Sequence, residues 1–347
     1  MRTTLRDVAA AAGVSAMTVS KVLHGTGTNV RVSQEKADQI RKTASELQYQ
    51  PNDLARSLRN KRTMTVGVVF RQLTRLNQQN PYFPQLLNGV MAALFEQNYT
   101  LALCPKLADL SNNGAVSDGR FDGILWCRPD FTDESIQGLS RSSVPVVMMH
   151  TPADLVPGLS TFCADNETAM RRVVQHLVGL GHERVAFVID EQNEAAAEAK
   201  ARSEAFLAAM SDFGMQGEIC VWNDDATGCV EAYVGTDRPH TAIATFSEAF
   251  AGIILRRCVD LGIQVPADLS VVGFDSSTFC ETTQPRLTAV NQPVEKMAYE
   301  ATLHLLNLIQ ANVEGLPKAL PSSSIYDCGL DIRSSTAPPA LIVESVS

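Results

Sequence analysis

The run Thr4-Leu5-Arg6-Asp7-Val8-Ala9-Ala10-Ala11-Ala12-Gly13-Val14-Ser15-Ala16-Met17-Thr18-Val19-Ser20-Lys21-Val22-Leu23 punctuates two short helices. Thr4 is placed to cap the first, with Asp7 three residues on, a capping-box spacing in which Asp stands for the usual Glu or Gln. Val8 and Ala12 give that helix an apolar face. Gly13 then supplies a residue that tolerates positive φ, so the chain can turn sharply. Ser15 is placed to cap the second helix, whose Val19, Val22 and Leu23 face back onto the first. Its other side keeps Ala16, Met17, Thr18, Ser20 and Lys21. The pattern predicts a helix-turn-helix that offers small and polar groups at the start of its second helix, as reading the DNA major groove requires.

A third helix is expected from Ser33 (cap) to Leu47, with Ala37, Ile40, Ala44 and Leu47 closing a three-helix core. Pro51 stops anything helical before it, and Asn52 can cap a further short helix over 53–62. With four basic residues and no core, that helix needs a partner to be stable. Residues 1–62 hold eleven Lys/Arg against five Asp/Glu, while the rest of the chain holds eighteen against thirty-three. An overall pI near 5.2 therefore conceals a basic head on an acidic body.

In a chain of 347 residues, 45% of them hydrophobic, the remaining length suits a body of two lobes with sizeable cores. Apolar strands are expected at Thr65–Phe70, Thr100–Cys104, Phe121–Cys127, Val144–Met149, Arg184–Ile189, Ile219–Trp222, Thr241–Thr245 and Leu269–Phe274. Helices are expected at Phe83–Gln97, Glu167–Gly179, Ala195–Asp212 and Ser247–Leu261. Such alternation implies parallel sheets covered on both faces. No run of eighteen apolar residues appears, so no membrane span is expected. The N-terminus has no apolar signal core, and a cytoplasmic product is expected. The eight cysteines form no Cys-x-x-Cys pair and no zinc spacing, so reduced thiols, with no metal and no cofactor, are expected. Enzyme readings find no Gly-x-Ser-x-Gly elbow and no His-Glu-x-x-His, and no strand precedes His24-Gly25-Thr26-Gly27 to make it a phosphate loop.

Beyond residues 4–23, the Tyr49-x-Pro51-Asn52 step and Leu54-Ala55-Arg56-Ser57-Leu58 resemble the lactose-repressor/galactose-repressor family of bacterial transcription regulators. Asn80-Pro81-Tyr82-Phe83, His176-Leu177 through Phe187, Val265-Pro266 through Asp275 and Arg333-x-Ser335-Thr336 have family counterparts in the same order. The resemblance implies a helix-turn-helix domain over 1–50, a hinge over 51–63 and a periplasmic-binding-protein-like body over 64–347. The body's N-lobe would take about 64–162 and 292–321, and its C-lobe about 163–291 and 322–340. Family members carry a clearer helix where this chain has 106–120, near the usual dimer contact. The frayed tail 338–347 shows no sustained heptad. A transport binding protein shares the body but would need a signal peptide and would lack the head.

For DNA, the resemblance sets Ala16, Met17 and Thr18 against base edges, and Ser20, Lys21, Arg6 and Asn29 against phosphates. Leu58 matches an apolar wedge that opens a minor-groove step, with Ala55 beside it. Thr4, Ser15, Asn52 and Arg56 complete the DNA-facing set. One hinge helix per subunit of a homodimer implies a near-palindromic double-stranded operator. For the effector, Tyr82 and Phe83 would form an apolar wall, Arg202 a donor fork and Asp275 an acceptor opposite it. His150, Ser247 and Gln292 also map to ligand-facing positions. Aromatic faces with a carboxylate and a guanidinium suit a sugar-like ligand. Many sugar-responsive relatives have Asn-Asp at Ser247-Glu248, Asp at His150 and an aromatic near Ala226, which leaves a uronate, a nucleoside-like ligand or no small ligand open. A repressor is expected, and an activator of the same family stays the alternative.

Overall fold

The computed structural model describes residues 3–24, 32–50, 62–70, 82–104, 119–127, 133–223, 230, 240–317 and 319–339. These divide into two compact units, Met1–Thr63 and Met64–Ser347. Among its described residues, the first has three helices: α1 (Leu5–Ala11), α2 (Ala16–His24) and α3 (Gln34–Glu46). The expected caps are made. Thr4 Oγ1 accepts from the Asp7 amide while Asp7 Oδ2 accepts from the Thr4 amide at 2.7 Å, so Asp completes the box. Ser15 Oγ accepts from Thr18 N at 3.1 Å, and Ser33 Oγ from Lys36 N at 3.3 Å. Gly13 turns the chain at φ +62°. Val8, Ala9, Ala12, Val19, Ile40 and Ala44 make the core. Leu47, expected among them, is instead the residue capping α3, where the helix has stopped presenting its apolar face, and it stays outside that core.

Among the described residues, the body holds two six-stranded sheets. In the first, the strands are β1 (Thr65–Val69), β2 (Thr100–Leu103), β3 (Gly123–Trp126), β4 (Val146–Met149), β5 (Ser160–Ala164) and β11 (Ser323–Tyr326), in the order β11-β5-β4-β3-β1-β2. The second has β6 (Arg184–Asp190), β7 (Gln216–Trp222), β8 (Ala242–Thr245), β9 (Ser270–Phe274), β10 (Thr288–Asn291) and β12 (Gly329–Asp331), in the order β12-β10-β9-β8-β6-β7. All pairings are parallel except β10–β12 at one edge. Central strands such as β3, β4, β8 and β9 are buried along their whole length, as sheets covered on both faces require.

Covering helices are α4 (Tyr82–Glu96), α5 (Asp133–Ser140), α6 (Asn166–Gly179), α7 (Ala197–Asp212), α8 (Glu248–Asp260), the short α9 (Phe279–Thr282) and α10 (Val294–Val313). Along α10, Val294, Met297, Ala298, Ala301, Leu305 and Ile309 recur at helical spacing and face the first sheet and α4. The chain passes between sheets after Ala164, after Asn291 and after Tyr326. The third passage corrects the expected boundary near 322: residues 323–326 pair in register with Thr161–Ala164, so they belong to the first lobe. Segment 106–120, where the family's helix was expected to be short or missing, lies almost wholly outside the described residues.

Gly89 on α4 lets α10 approach closely. A Cβ there would overlap the Glu295 carbonyl and lie 2.9 Å from Tyr299 N. Gly→Ala in a helix ordinarily gains about 1 kcal/mol. Here the clash is with backbone, so Gly89→Ala is expected to cost about 1–3 kcal/mol. A urea midpoint at or above that of the wild type would show that the two helices do not need this contact.

Among the described residues no helix is long and apolar enough to cross a membrane, and no His/Cys/Asp/Glu cluster fits a metal. Seven cysteines are described, all free, and Cys229 lies outside the described residues. Burial pushes the Cys163, Cys258 and Cys328 thiols up to about 12, which keeps them protonated and unreactive.

Candidate functional site

In the head, the N-terminal turn of α2 is open. Met17 is 65% exposed, Ser15 is exposed, and Ala16, Thr18 and Lys21 are half-buried, so an unpartnered apolar side chain stands among small polar ones. Thr4 and Arg6 are exposed at the start of α1. Ser20, expected against a phosphate, is only 4% exposed, one residue after the core Val19, and so offers little surface there. Asn29, Asn52, Ala55, Arg56 and Leu58 lie outside the described residues.

In the body, four of the expected effector residues, Tyr82, His150, Arg202 and Gln292, join Glu198 in a polar chain between the two lobes. Both acidic or basic groups at strand ends are aimed by unusual backbone. His150 follows β4 at φ +59°, and Asp275 follows β9 at φ +99° with Ser276 at +48°. Non-glycine residues rarely hold positive φ, and such strain gathers at functional sites at the carboxyl ends of parallel strands. Ser276 Oγ donating to Asp331 Oδ2 at 2.7 Å fixes the second turn.

From the first lobe, Tyr82 Oη bonds His150 Nε2, and the rings meet edge to face at 5.3 Å. Phe83 packs edge-on to Phe70 at 5.1 Å, so it serves the first lobe's core. From the second lobe, α7 brings Glu198, whose Oε1 lies 3.2 Å from His150 Nδ1. With the proton on Nδ1, the imidazole donates to this carboxylate and accepts from Tyr82. Glu198 Oε2 lies 3.7 Å from Arg202 Nη2, one helical turn on. Burial raises the Glu198 pKa, but His150 and Arg202 together outweigh it and hold the carboxyl below its usual range.

Arg202 was expected to present a free donor fork, and the structure turns that fork inward. Nε donates to Asn166 Oδ1 (3.1 Å), Nη1 to the Phe246 carbonyl (2.7 Å) and Nη2 to Gln292 Oε1 (3.2 Å). The guanidinium lies 3.4 Å over the Phe274 ring and 4.7 Å from that of Phe246. A planar five-donor group satisfies such scattered acceptors, and the aromatic faces suit it. It pairs with Glu198, a residue outside the expected set. Asp275 is only 6% exposed; burial above all, then Glu248 and Glu198, push its pKa up to about 8 against the pull of Arg202. Ser247 spends its hydroxyl capping α8, accepting from Phe250 N at 3.2 Å. The sequence reading missed Glu198, Asn166 and Phe246. A glutamate one turn before Arg202 in an alanine-rich helix was the available signal for the first.

Two family models match the chain: "Bacterial regulatory proteins, lacI family" over residues 4–52 and "Periplasmic binding protein-like domain" over 174–336. Catabolite control protein A of Priestia megaterium is 30% identical over 309 residues, spanning 85% of this chain and 89% of that one. The HTH-type transcriptional repressor PurR of Vibrio campbellii is 30% identical over 329 residues, spanning 88% and 92%. Among solved structures, the lac repressor dimer bound to operator and the anti-inducer ONPF superposes with a TM-score of 0.81 at 22% identity, covering 97% of this chain and 100% of that one. The transcriptional regulator CelR in complex with cellobiose superposes at 0.68 with 27% identity, covering 96% and 100%. A capped helix-turn-helix head, a two-sheet body and relatives of this identity along nearly the whole length agree: the chain belongs to the lacI family of bacterial regulatory proteins, transcription regulators that bind DNA.

Proposed function

We propose that this chain is a repressor that binds a near-palindromic operator as a homodimer and is switched by a small polar, sugar-like metabolite held between the lobes of its body. The observation that carries the effector reading is the buried polar chain Tyr82–His150–Glu198–Arg202–Gln292, which runs from one lobe to the other through the crossover at Gln292. Polar groups are costly to bury unless they are satisfied or used, and this many at one strand-end crevice favour a ligand site. Repression is supported by the names of relatives such as PurR, and the homodimer by the solved lac repressor dimer. A sugar-like ligand is supported by the cellobiose held by CelR. Residues 1–50, 51–63 and 64–347 act as reader, hinge and sensor. A ligand can shift operator affinity only as far as it prefers one lobe arrangement over the other.

The test is a thermal-shift screen of sugars, sugar acids, polyols and nucleosides on the full chain, with hits repeated on Asp275→Ala and Gln292→Ala. Full stabilisation of both variants would put the site elsewhere. Footprinting against the transcription start distinguishes repressor from activator.

Leu58→Ala is expected to weaken operator binding by about tenfold or more while leaving binding to random DNA within about twofold, because a wedge acts through DNA bending rather than charge. Equal losses on both DNAs would remove the wedge.

A further inference from the structure

We propose that the effector of this cleft carries a cationic nitrogen, an ammonium or amidinium group, and that Asp275 is its counter-ion; this rests on the interlobe site proposed above. The starting point is an acid without a partner. Asp275 is 6% exposed and its carboxyl has no hydrogen bond or ion pair among the described residues, while the strained turn at Asp275–Ser276 keeps it where it is. Two residues on, Ser277 N donates to Glu248 Oε2 at 2.7 Å, and the Cys280 thiol donates to the same oxygen at 2.9 Å. Glu248 is 1% exposed and its other oxygen, Oε1, has no partner. A second buried carboxyl group, also short of donors, thus stands against the same loop.

The cations nearby are already committed. Arg202 answers Glu198 and three neutral acceptors through all of its nitrogens. Arg333, which is electrostatically coupled to Glu248, is held by Glu281 at 2.5 Å, Asp331 at 3.6 Å and the Leu287 carbonyl at 2.8 Å. His150 sits between Tyr82 and Glu198. Among the described residues, the groups that act on Asp275 are Tyr82 from the first lobe, Glu198 and Arg202 from α7, Glu248 from α8 and the Cys280 thiol from α9, with a surplus of carboxyl groups. A buried, ionised carboxylate without a counter-charge is unfavourable, and a proton takes that place in the free protein: burial first, then the neighbouring acids, raise Asp275 to about 8. A hydroxyl would satisfy an oxygen but not the charge. A uronate would bring a further negative charge to a guanidinium that Glu198 already holds. An ammonium supplies both donors and charge, and displaces the proton.

The test uses the full chain and matched amine/alcohol probes: glucamine with sorbitol, glucosamine with glucose, and aminopropanediol with glycerol. At about pH 8 an amine is expected to stabilise the protein against heat where its alcohol does not, and Asp275→Asn is expected to abolish the difference. The affinity for glucamine should rise as pH goes from about 6 to 8, by up to about tenfold per unit, because binding releases the Asp275 proton. Without any probe, Asp275→Asn is expected to melt at least about 2 °C above wild type at pH 8, with a smaller gap near pH 5. Alcohols as effective as amines overturn the cationic effector while leaving the interlobe site standing. Probes that stabilise wild type and Asp275→Asn equally remove both. No stabilisation by any amine, or an Asp275→Asn protein that melts below wild type at both pH values, overturns the proposal.

Discussion

Raising salt from about 50 to about 200 mM is expected to lower the operator affinity of this chain by roughly 10³–10⁵-fold, the loss for a protein that makes about 6–10 phosphate contacts. The reason is the separation of charge along the chain. Eleven Lys/Arg against five Asp/Glu fall in residues 1–62, whereas the body carries an excess of acids. Basic groups in the head release counterions from DNA when they bind, and salt opposes that release. The acidic body has no such pairing to offer and keeps away from the polyanion. Lys21, half-buried on α2, is expected to lower the slope by about 1 per copy when changed to Ala, on operator and random DNA alike. Met17→Ala should leave the slope unchanged and alter base preference instead, because a thioether contacts base edges and not phosphate. The readout is log affinity against log salt. A flat line for the wild type would mean that the head does not bind through phosphates.

The head was almost wholly legible because its signals are local. Thr4, Ser15 and Ser33 act on amides three residues away, and Gly13 acts through its own φ. Ser20 escaped because a small polar residue carries no sign of which side of a short helix it occupies. In the body, strands such as Gly123–Trp126 and Ser270–Phe274 read as apolar runs. No element beyond Phe274 was expected from that alternation, though α10 carries its apolar residues at clear helical spacing. β11 and β12 were not readable in the same way. Ser-Ser-Ile-Tyr and Gly-Leu-Asp are edge strands defined by the partner they pair with, Thr161–Ala164 and Ala289–Asn291, far away in sequence. The cleft divides likewise. The family resemblance pointed to Tyr82, His150, Arg202, Asp275 and Gln292, but a pairing such as Arg202 with Glu198 and Asn166 depends on side-chain direction, which no spacing rule supplies.

Arg202→Ala is expected to lower the stability of the body by about 3–5 kcal/mol, the range for removing one partner of a buried ion pair. Arg202 is 3% exposed and Glu198 7%, so the carboxylate that remains cannot turn to water. Asn166 Oδ1, the Phe246 carbonyl and Gln292 Oε1 lose their donor together, and the Phe274 ring loses the group stacked on it. At about 2–4 °C per kcal/mol for a unit of this size, the melting temperature should fall by roughly 10 °C. The pH dependence has a definite sign. The Glu198 carboxyl is held below its usual value in the folded protein, so its stabilising contribution is present above the unfolded pKa of about 4.3 and is lost as pH falls through the folded value. The deficit of Arg202→Ala should therefore be largest near neutral pH and shrink in acid, where protonation removes the orphaned charge from the variant. Glu198→Gln added to Arg202→Ala should recover part of the loss at neutral pH, for the same reason. Arg202→Lys should recover little, because one ammonium cannot reach acceptors set around a planar fork or lie flat on the Phe274 ring. Melting curves of the four proteins at two pH values decide the matter, and an Arg202→Ala protein that melts within about 1 °C of wild type would mean that the inward fork does not hold the lobes.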